Sequence, residues 1–274
     1  MNSESDLLKF LKNKALWVRK ETLKIHKIAP ETRLASSLSD IEIFVALYYG
    51  KVLRFIPNNI EWEERDRFII SKGHGAISLY PILADLGFFS MDELNHVCHK
   101  NSFLGSIPDN IPGFETINGS LGHGLGVASG IAIGLRRKKI KSYVFVLVGD
   151  GEIYEGSFWE AVMFCSHHRL DNLILIVDAN KISMLDYTKN IIDLEPLSEK
   201  FKVFSWEVKV VDGHNIFEVY SALKSFQNKY GDRPKVLIAD TIKGKGVAQL
   251  ERDTLCHLRS LTADECDNLI KDII

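Results

Sequence analysis

The sequence predicts an α/β fold in which a parallel sheet is covered by helices on both faces, and three observations lead there. Five short runs rich in Val, Ile, Leu and Phe stand at 67–71 (RFIIS), 143–149 (YVFVLVG), 173–180 (LILIVDAN), 206–211 (WEVKVV) and 235–242 (KVLIADTI). Their nearly unbroken apolar content asks for burial on both sides, which is the environment of strands in a parallel sheet. The stretches between them are long enough for the crossover helices that such a sheet requires.

The chain opens with Leu8, Leu11, Ala15, Val18, Thr22 and Ile25, which step by three and four and so share one stripe of a helix. Ser39-Asp40 then offers a cap to a second helix through Ile41, Ile43, Phe44, Ala46 and Leu47, with Gly50 as its stop. RFIIS is the first expected strand. A glycine-rich segment at 118–126 (NGSLGHGLG) precedes a helical stretch running through Leu135, and YVFVLVG is followed by a helical segment at 156–167 that ends in His167-His168. LILIVDAN, WEVKVV and KVLIADTI complete the strands. No repeat, low-complexity tract or Pro/Gly/Ser-rich linker divides the chain, so a single domain over 1–274 is expected.

Composition narrows the function. The 274 residues carry 34 basic and 36 acidic side chains, a net charge of -2, which gives no electrostatic reason to expect nucleic acid or an anionic membrane as partner. The longest uncharged apolar runs fall far below the roughly 18 residues of a membrane span. The N-terminal MNSESDLLKFLKNK scatters charges among its apolar positions and lacks a small-residue cleavage site, so it does not read as a signal peptide. Cys98, Cys165, Cys256 and Cys266 have no CxxC spacing and are too sparse for a disulfide scaffold, and they are expected to be reduced thiols of a cytoplasmic protein. His96-Val97-Cys98-His99 and Cys256-His257 lack zinc-ligand spacing, and Trp17, Trp62, Trp159 and Trp206 are most simply core or interface aromatics.

In open α/β sheets ligands gather beyond the carboxyl ends of the strands. YVFVLV ends in Gly149-Asp150-Gly151-Glu152, and about thirty residues on, the spacing of one βαβ unit, LILIV ends in Asp178-Ala179-Asn180-Lys181-Ile182. Asp150 and Asn180 would then offer hard oxygen ligands with one charge between them. Magnesium tolerates so sparse a protein shell because phosphate oxygens and water complete it, which points to a magnesium-diphosphate site. Spacing alone leaves a second reading open, in which Asp150 only caps a helix and Asn180 only makes a turn. The glycine-rich segment could expose amide donors to an anion, although it contains neither a GxGxxG nor a Walker pattern.

Taken together, Gly149-Asp150-Gly151-Glu152, Glu155-Gly156, Trp159-Glu160-Ala161, Leu170-Asp171-Asn172-Leu173 and Asp178-x-Asn180 resemble the thiamine-diphosphate motif of the transketolase family. Further matches follow in family order: Ser71-Lys72-Gly73-His74-Gly75, Gly119-Ser120-Leu121-Gly122-His123-Gly124, Asp212-Gly213-His214, Lys243-Gly244-Lys245-Gly246 and a late histidine, His257. The likeness covers roughly 20–260 and extends only to the amino-terminal portion of a full-length transketolase. It implies thiamine diphosphate with Mg2+ (or Ca2+ or Mn2+), held as metal by Asp150, Asn180 and the Ile182 carbonyl. It implies cofactor binding by His74, Gly119, Leu121, Gly151, Glu152, Asn180 and His257, and catalytic roles for His74, His257, Glu155 and Glu160, the two glutamates lying near a subunit interface. The glutamate that activates the aminopyrimidine belongs to family domains with no counterpart here. The resemblance therefore implies a separate pyrimidine-domain partner, a heterotetramer, and transfer of a two-carbon ketol unit between sugars or sugar phosphates.

Two positions depart from the family pattern. Arg33 stands where a first substrate-channel histidine is expected, and Ile107 replaces a second before the glycine-rich loop. A buried sugar hydroxyl left without a partner costs about 1 to 3 kcal/mol, so a modified sugar or an acyl donor is expected. The alternatives are the thiamine-dependent component of a 2-oxo acid dehydrogenase, a deoxyxylulose-phosphate-synthase-like enzyme, or a cofactor-binding scaffold without turnover.

Overall fold

The structure is a computed structural model that describes residues 4–117, 119–228, 231–251 and 253–273. In chain order the helices and strands are α1 (Glu4–Ile28), α2 (Leu34–Leu38), α3 (Ile41–Tyr48), β1 (Arg67–Ile70), α4 (Leu79–Asp85), α5 (Gly124–Arg137), β2 (Val144–Gly149), α6 (Gly156–His167), β3 (Leu173–Ala179), β4 (Ile182–Ser183), β5 (Asp186–Tyr187), α7 (Thr188–Ile191), α8 (Leu197–Val203), β6 (Glu207–Asp212), α9 (Ile216–Gln227), β7 (Lys235–Asp240), α10 (Ala248–Glu251) and α11 (Ala263–Asp272). A short 3-10 turn at Gly73–Ser78 follows β1 after Ser71 and Lys72, and another at Asp150–Tyr154 follows β2 directly.

Five strands form one parallel sheet in the order β1-β2-β3-β7-β6, and β4 and β5 pair as a small antiparallel hairpin. Alternation of side chains along each strand divides the core in two. Phe145, Leu147, Ile174, Ile176 and Leu237 face one side, where α1, α3, α4 and α9 supply Leu11, Phe44, Tyr80 and Phe226. Val144, Val146, Val148, Leu173, Leu175, Val177 and Val236 face the other, against Leu125 and Ala128 of α5, Phe158 of α6, Phe201 of α8 and Trp206. Each such large side chain contributes about 1.5 to 3 kcal/mol by leaving water, so the predicted two-sided burial holds for β2, β3 and most of β7.

The strand at 206–211 is the exception. Residues of β6 are partly or largely exposed, Val210 at 58%, because β6 lies at the sheet edge with a neighbour on one side only. The run at 235–242 also stops early: β7 ends at Asp240, and Thr241-Ile242 turn out of the sheet. The opening helix is longer than its stripe, and of the stripe residues Leu11, Ala15, Val18, Thr22 and Ile25 are buried. Asp40 does sit at the N-terminal boundary of α3, but its side chain makes no capping hydrogen bond. Its carboxyl is committed to Lys72 instead. Among the described residues no helix is long and apolar enough to cross a membrane, and all four cysteines are unpaired.

Candidate functional site

Because the sheet is parallel, every strand delivers its last residue to the same edge. Ser71 N donates to Leu147 O at 2.8 Å, which brings the 71–74 segment alongside the end of β2. Gly149 lies opposite Asp178, and Ala179 opposite Asp240. Gly213 N donates to Asp240 O at 2.8 Å. The segments SKGH, GDGE, DANKI, DGH and TIKGKG, far apart in sequence, therefore start from one level.

The oxygen donors expected for a metal are joined by a short turn. Asp150 Oδ2 accepts from Lys181 N, and Lys181 separates Asn180 from Ile182. Lys181 has φ of 66°, a left-handed conformation uncommon away from glycine. Asn180 Nδ2 donates to Asp178 at 2.8 Å, which fixes the amide and turns Oδ1 the other way, where among the described residues it accepts only from Ile182 N at 3.2 Å. Gly151 brings the two turns together, since a Cβ there would lie 2.6 Å from Ser183 Oγ. Its N–H donates to Asp150 Oδ1 at 2.8 Å.

Asp150 is 8% exposed and has no cationic side chain in ion-pair contact among the described residues. Burial, then the neighbouring Asp178, push its carboxyl up to about 7. A carboxylate left in that position, with an amide oxygen and a backbone carbonyl beside it, is a hard-oxygen set that a divalent cation would relieve. The residues present fit such an ion.

Beneath this turn lies a buried network that the motifs did not announce. Lys72 is 1% exposed; its ammonium contacts Asp178, Asp40 at 2.9 Å and the Ser36 carbonyl at 3.2 Å. Asp178 also accepts from Ser39 Oγ at 2.8 Å, from Asn180 Nδ2 and from Thr241 Oγ1. Burial alone would raise Asp178, yet Lys72 and these donors hold it well below the usual carboxylate range. Asp40, lacking that set of donors, is pushed well above it by burial.

Above the floor the potential is positive. His74 and His257 meet edge to face with ring centroids 5.2 Å apart, and His257 Nδ1 lies 3.3 Å from Ser36 Oγ. Burial and then Lys72, His257 and Lys243 lower His74 well below the ordinary imidazole value. Burial, Lys243, Arg33 and Lys72 bring His257 down to about 4. Lys243 is 4% exposed, is itself lowered by burial and by Lys72, and donates to the Ile182 carbonyl at 2.9 Å. Arg33 is partly buried, and its guanidinium has no hydrogen-bond or ion-pair partner among the described residues. Burial first, and then the neighbouring cationic side chains, disfavour the protonated form of both rings, which sets two imidazoles beside Lys243.

Not every residue singled out from sequence joins this cluster. Glu152 is buried, and its carboxylate accepts from Ser71 Oγ, from Gly122 N at 2.8 Å and from Gly149 N at 3.4 Å. It ties the glycine-rich loop to the strand end, and burial raises its pKa against those donors. Gly119 is exposed and Leu121 partly so, on the loop leading into α5, while Asn118 lies outside the described residues. Glu155 and Glu160 are exposed at the start of α6, and neither carboxylate has a partner among the described residues. Conversely the part played by Ser36, and the buried contacts of the motif residues Lys72, Asp178 and Lys243, emerge only from the geometry. The signal available beforehand was a lysine placed directly after a buried strand, at 72 and again at 243, where a solvated lysine is out of place.

Residues 35–273 match the family described as transketolase, thiamine diphosphate binding domain. The chain is 36% identical over 256 residues to the 6-deoxy-6-sulfo-D-fructose transketolase subunit SqwG of Clostridium sp. (strain MSTE9), covering 93% of this chain and 92% of that protein. It is 36% identical over 266 residues to an apulose-4-phosphate transketolase subunit of Actinobacillus succinogenes, covering 96% and 95%. Human transketolase is 32% identical over 268 residues, 97% of this chain but 42% of that one. The solved transketolase of Campylobacter jejuni superposes with a TM-score of 0.87 at 26% identity, over 99% of this chain and 43% of its own. The chain thus spans less than half of these longer relatives and nearly all of the subunits.

Proposed function

The chain belongs to the transketolase thiamine-diphosphate-binding family, and from that premise we propose that it is one subunit of a two-chain transketolase which moves a two-carbon ketol unit from a ketose to an aldose. The observation that carries this reading is the pairing of a hard-oxygen set at Asp150, Asn180 and the Ile182 carbonyl with the nitrogen donors of His74, His257 and Lys243 beside it. A metal diphosphate presents both complements at once.

Asp150, Asn180 and the Ile182 carbonyl would hold Mg2+, and His74, His257 and Lys243 would receive the diphosphate. Thiamine diphosphate, when bound, supplies the carbon nucleophile and electron sink that ketol transfer needs. The rest is done by this chain's own groups. Lys72 and Asp178 hold Asn180 with its amide oxygen toward the cation site. Neutral His257 keeps Nδ1 toward Ser36 Oγ, which leaves Nε2 for a ligand. Glu152 keeps the glycine-rich loop against the ends of β1 and β2, so backbone rather than side chains lines that border.

A partner carrying the pyrimidine-binding domain completes the enzyme, and a heterotetramer with two sites is the simplest assembly. Support comes from full-length relatives of this size that are themselves transketolase subunits. The four free thiols suit a cytoplasmic setting. Reconstitution tests the reading: mixed with a chain bearing the remaining domains, Mg2+ and cofactor, it should transfer ketol units, while either chain alone should give none. Turnover by this chain alone contradicts the divided site, and a silent pair across a panel of ketoses contradicts the transferase assignment.

A further inference from the structure

We propose that His214 is a positioning residue which sets Lys243 in place through the loop at 241–246, an inference that rests on the magnesium-diphosphate reading above. The ring has two committed nitrogens. Nε2 accepts from Ile242 N at 2.8 Å, so it carries no proton, and Nδ1 must therefore bear the hydrogen it directs at Glu42 Oε2, 3.1 Å away. The other oxygen of Glu42 accepts from Arg19 Nη2 at 2.7 Å, and Arg19 Nη1 donates to the Lys245 carbonyl. Arg19, Glu42 and His214 thus grip the backbone on both sides of Lys243, at 242 and at 245.

The approach is made possible by Gly213, where a Cβ would lie 2.3 Å from Thr241 Cγ2 and 3.0 Å from the Asp240 carbonyl. The loop is fixed further by Thr241 Oγ1 on Asp178 and by Gly244 N on the Ala35 carbonyl at 2.9 Å. Of its residues only Lys243 sends a side chain to the oxygen set, at the Ile182 carbonyl. The side chains of Arg19, Glu42 and His214 are only 7%, 10% and 11% exposed, so water is a poor substitute for the contacts they make. Among the described residues they reach the site by this loop and by one further contact, Arg19 Nη1 donating to the Leu38 carbonyl of α2 at 3.4 Å; none of the three side chains bonds to the oxygen set or to the two imidazoles directly.

Calorimetric titration of the full chain with magnesium pyrophosphate, accompanied by thermal melts, tests the proposal. Wild type should bind. His214→Leu should weaken binding about five- to tenfold, the loss of one buried hydrogen bond, and His214→Gln, which restores an acceptor opposite Ile242, should recover most of it. Glu42→Gln offers an amide N–H to Nδ1, favours the other imidazole tautomer, and should weaken binding alike even where the leucine variant folds poorly. In a Lys243→Met background both effects should nearly vanish, because they act through that lysine. Equal losses in the two backgrounds would overturn the role of His214 while leaving the metal-diphosphate reading standing. Failure of wild type to bind magnesium pyrophosphate would overturn both.

Discussion

Lys72 and Asp178 form an ion pair with side chains at 1% and 0% exposure, one two residues beyond the first strand and the other near the end of the third. Their contact joins two chain segments that have no strand pairing with each other, since β2 lies between them. It also sets Asn180, whose amide N–H shares Asp178 with the lysine. A pair this deep is costly to desolvate, and replacing it by well-packed apolar residues can even stabilise a fold. Its value here lies in holding the turn that carries Asn180.

Removing only the cation is a different matter. Lys72→Met leaves Asp178 buried with its charge uncompensated, and the variant should lose about 3 to 5 kcal/mol of stability. Urea unfolding measures this directly. A loss below about 1 kcal/mol would mean that Ser39, Asn180 and Thr241 compensate the Asp178 carboxylate without the lysine.

His26 gives the fold a dependence on pH. The ring is fully buried; Nε2 accepts from Leu261 N at 3.1 Å, and Nδ1 lies 2.8 Å from Thr32 Oγ1. Burial lowers its pKa from 6.5 to about 4. The unfolded chain therefore takes up the proton first, so His26 contributes stability that is complete above pH 6.5 and is lost as pH falls toward 4. Between pH 7 and 5 this amounts to about 2 kcal/mol. His26→Gln should flatten the stability profile by that amount across the same interval, and an unchanged slope would assign it to other groups.

Arg33 should act on the substrate more than on the cofactor. Its guanidinium is unpartnered among the described residues and lies close enough to His257 to lower that ring's pKa. Ile107, the other departure from the family pattern, is 46% exposed. In the reconstituted pair Arg33→Ala should raise KM for the donor about tenfold, the value of one charge-assisted hydrogen bond, with cofactor affinity nearly unchanged. An equal fall in cofactor affinity would move Arg33 into the diphosphate site. Xylulose 5-phosphate should also be a poorer donor than a modified ketose.

The strands were legible because Val/Ile/Leu/Phe runs are forced inside, and the meeting of the turns at 150 and 180 because Asp150 and Asn180 close two of them. The edge position of β6 was not legible: Val208, Val210 and Val211 look like core in sequence, and only the strand order exposes them. α2 was also missed, since LASSL has two serines and no amphipathic period, although all five residues are buried. Ser39 and Asp40 look like a cap, but tertiary partners claim both side chains. The buried roles of Lys72 and Lys243 escaped for the same reason. Lysine is nearly always solvated, and only the facing carboxylate or carbonyl shows where it goes.

The central claim is a metal diphosphate anchored between the turns at 150 and 180. Calorimetry of thiamine diphosphate uptake by the chain with its companion, with and without Mg2+, in wild type and Asp150→Ala, tests it most directly. Uptake should depend on magnesium in wild type and be lost in Asp150→Ala while the variant remains folded. Uptake of the same affinity in both proteins would contradict the claim.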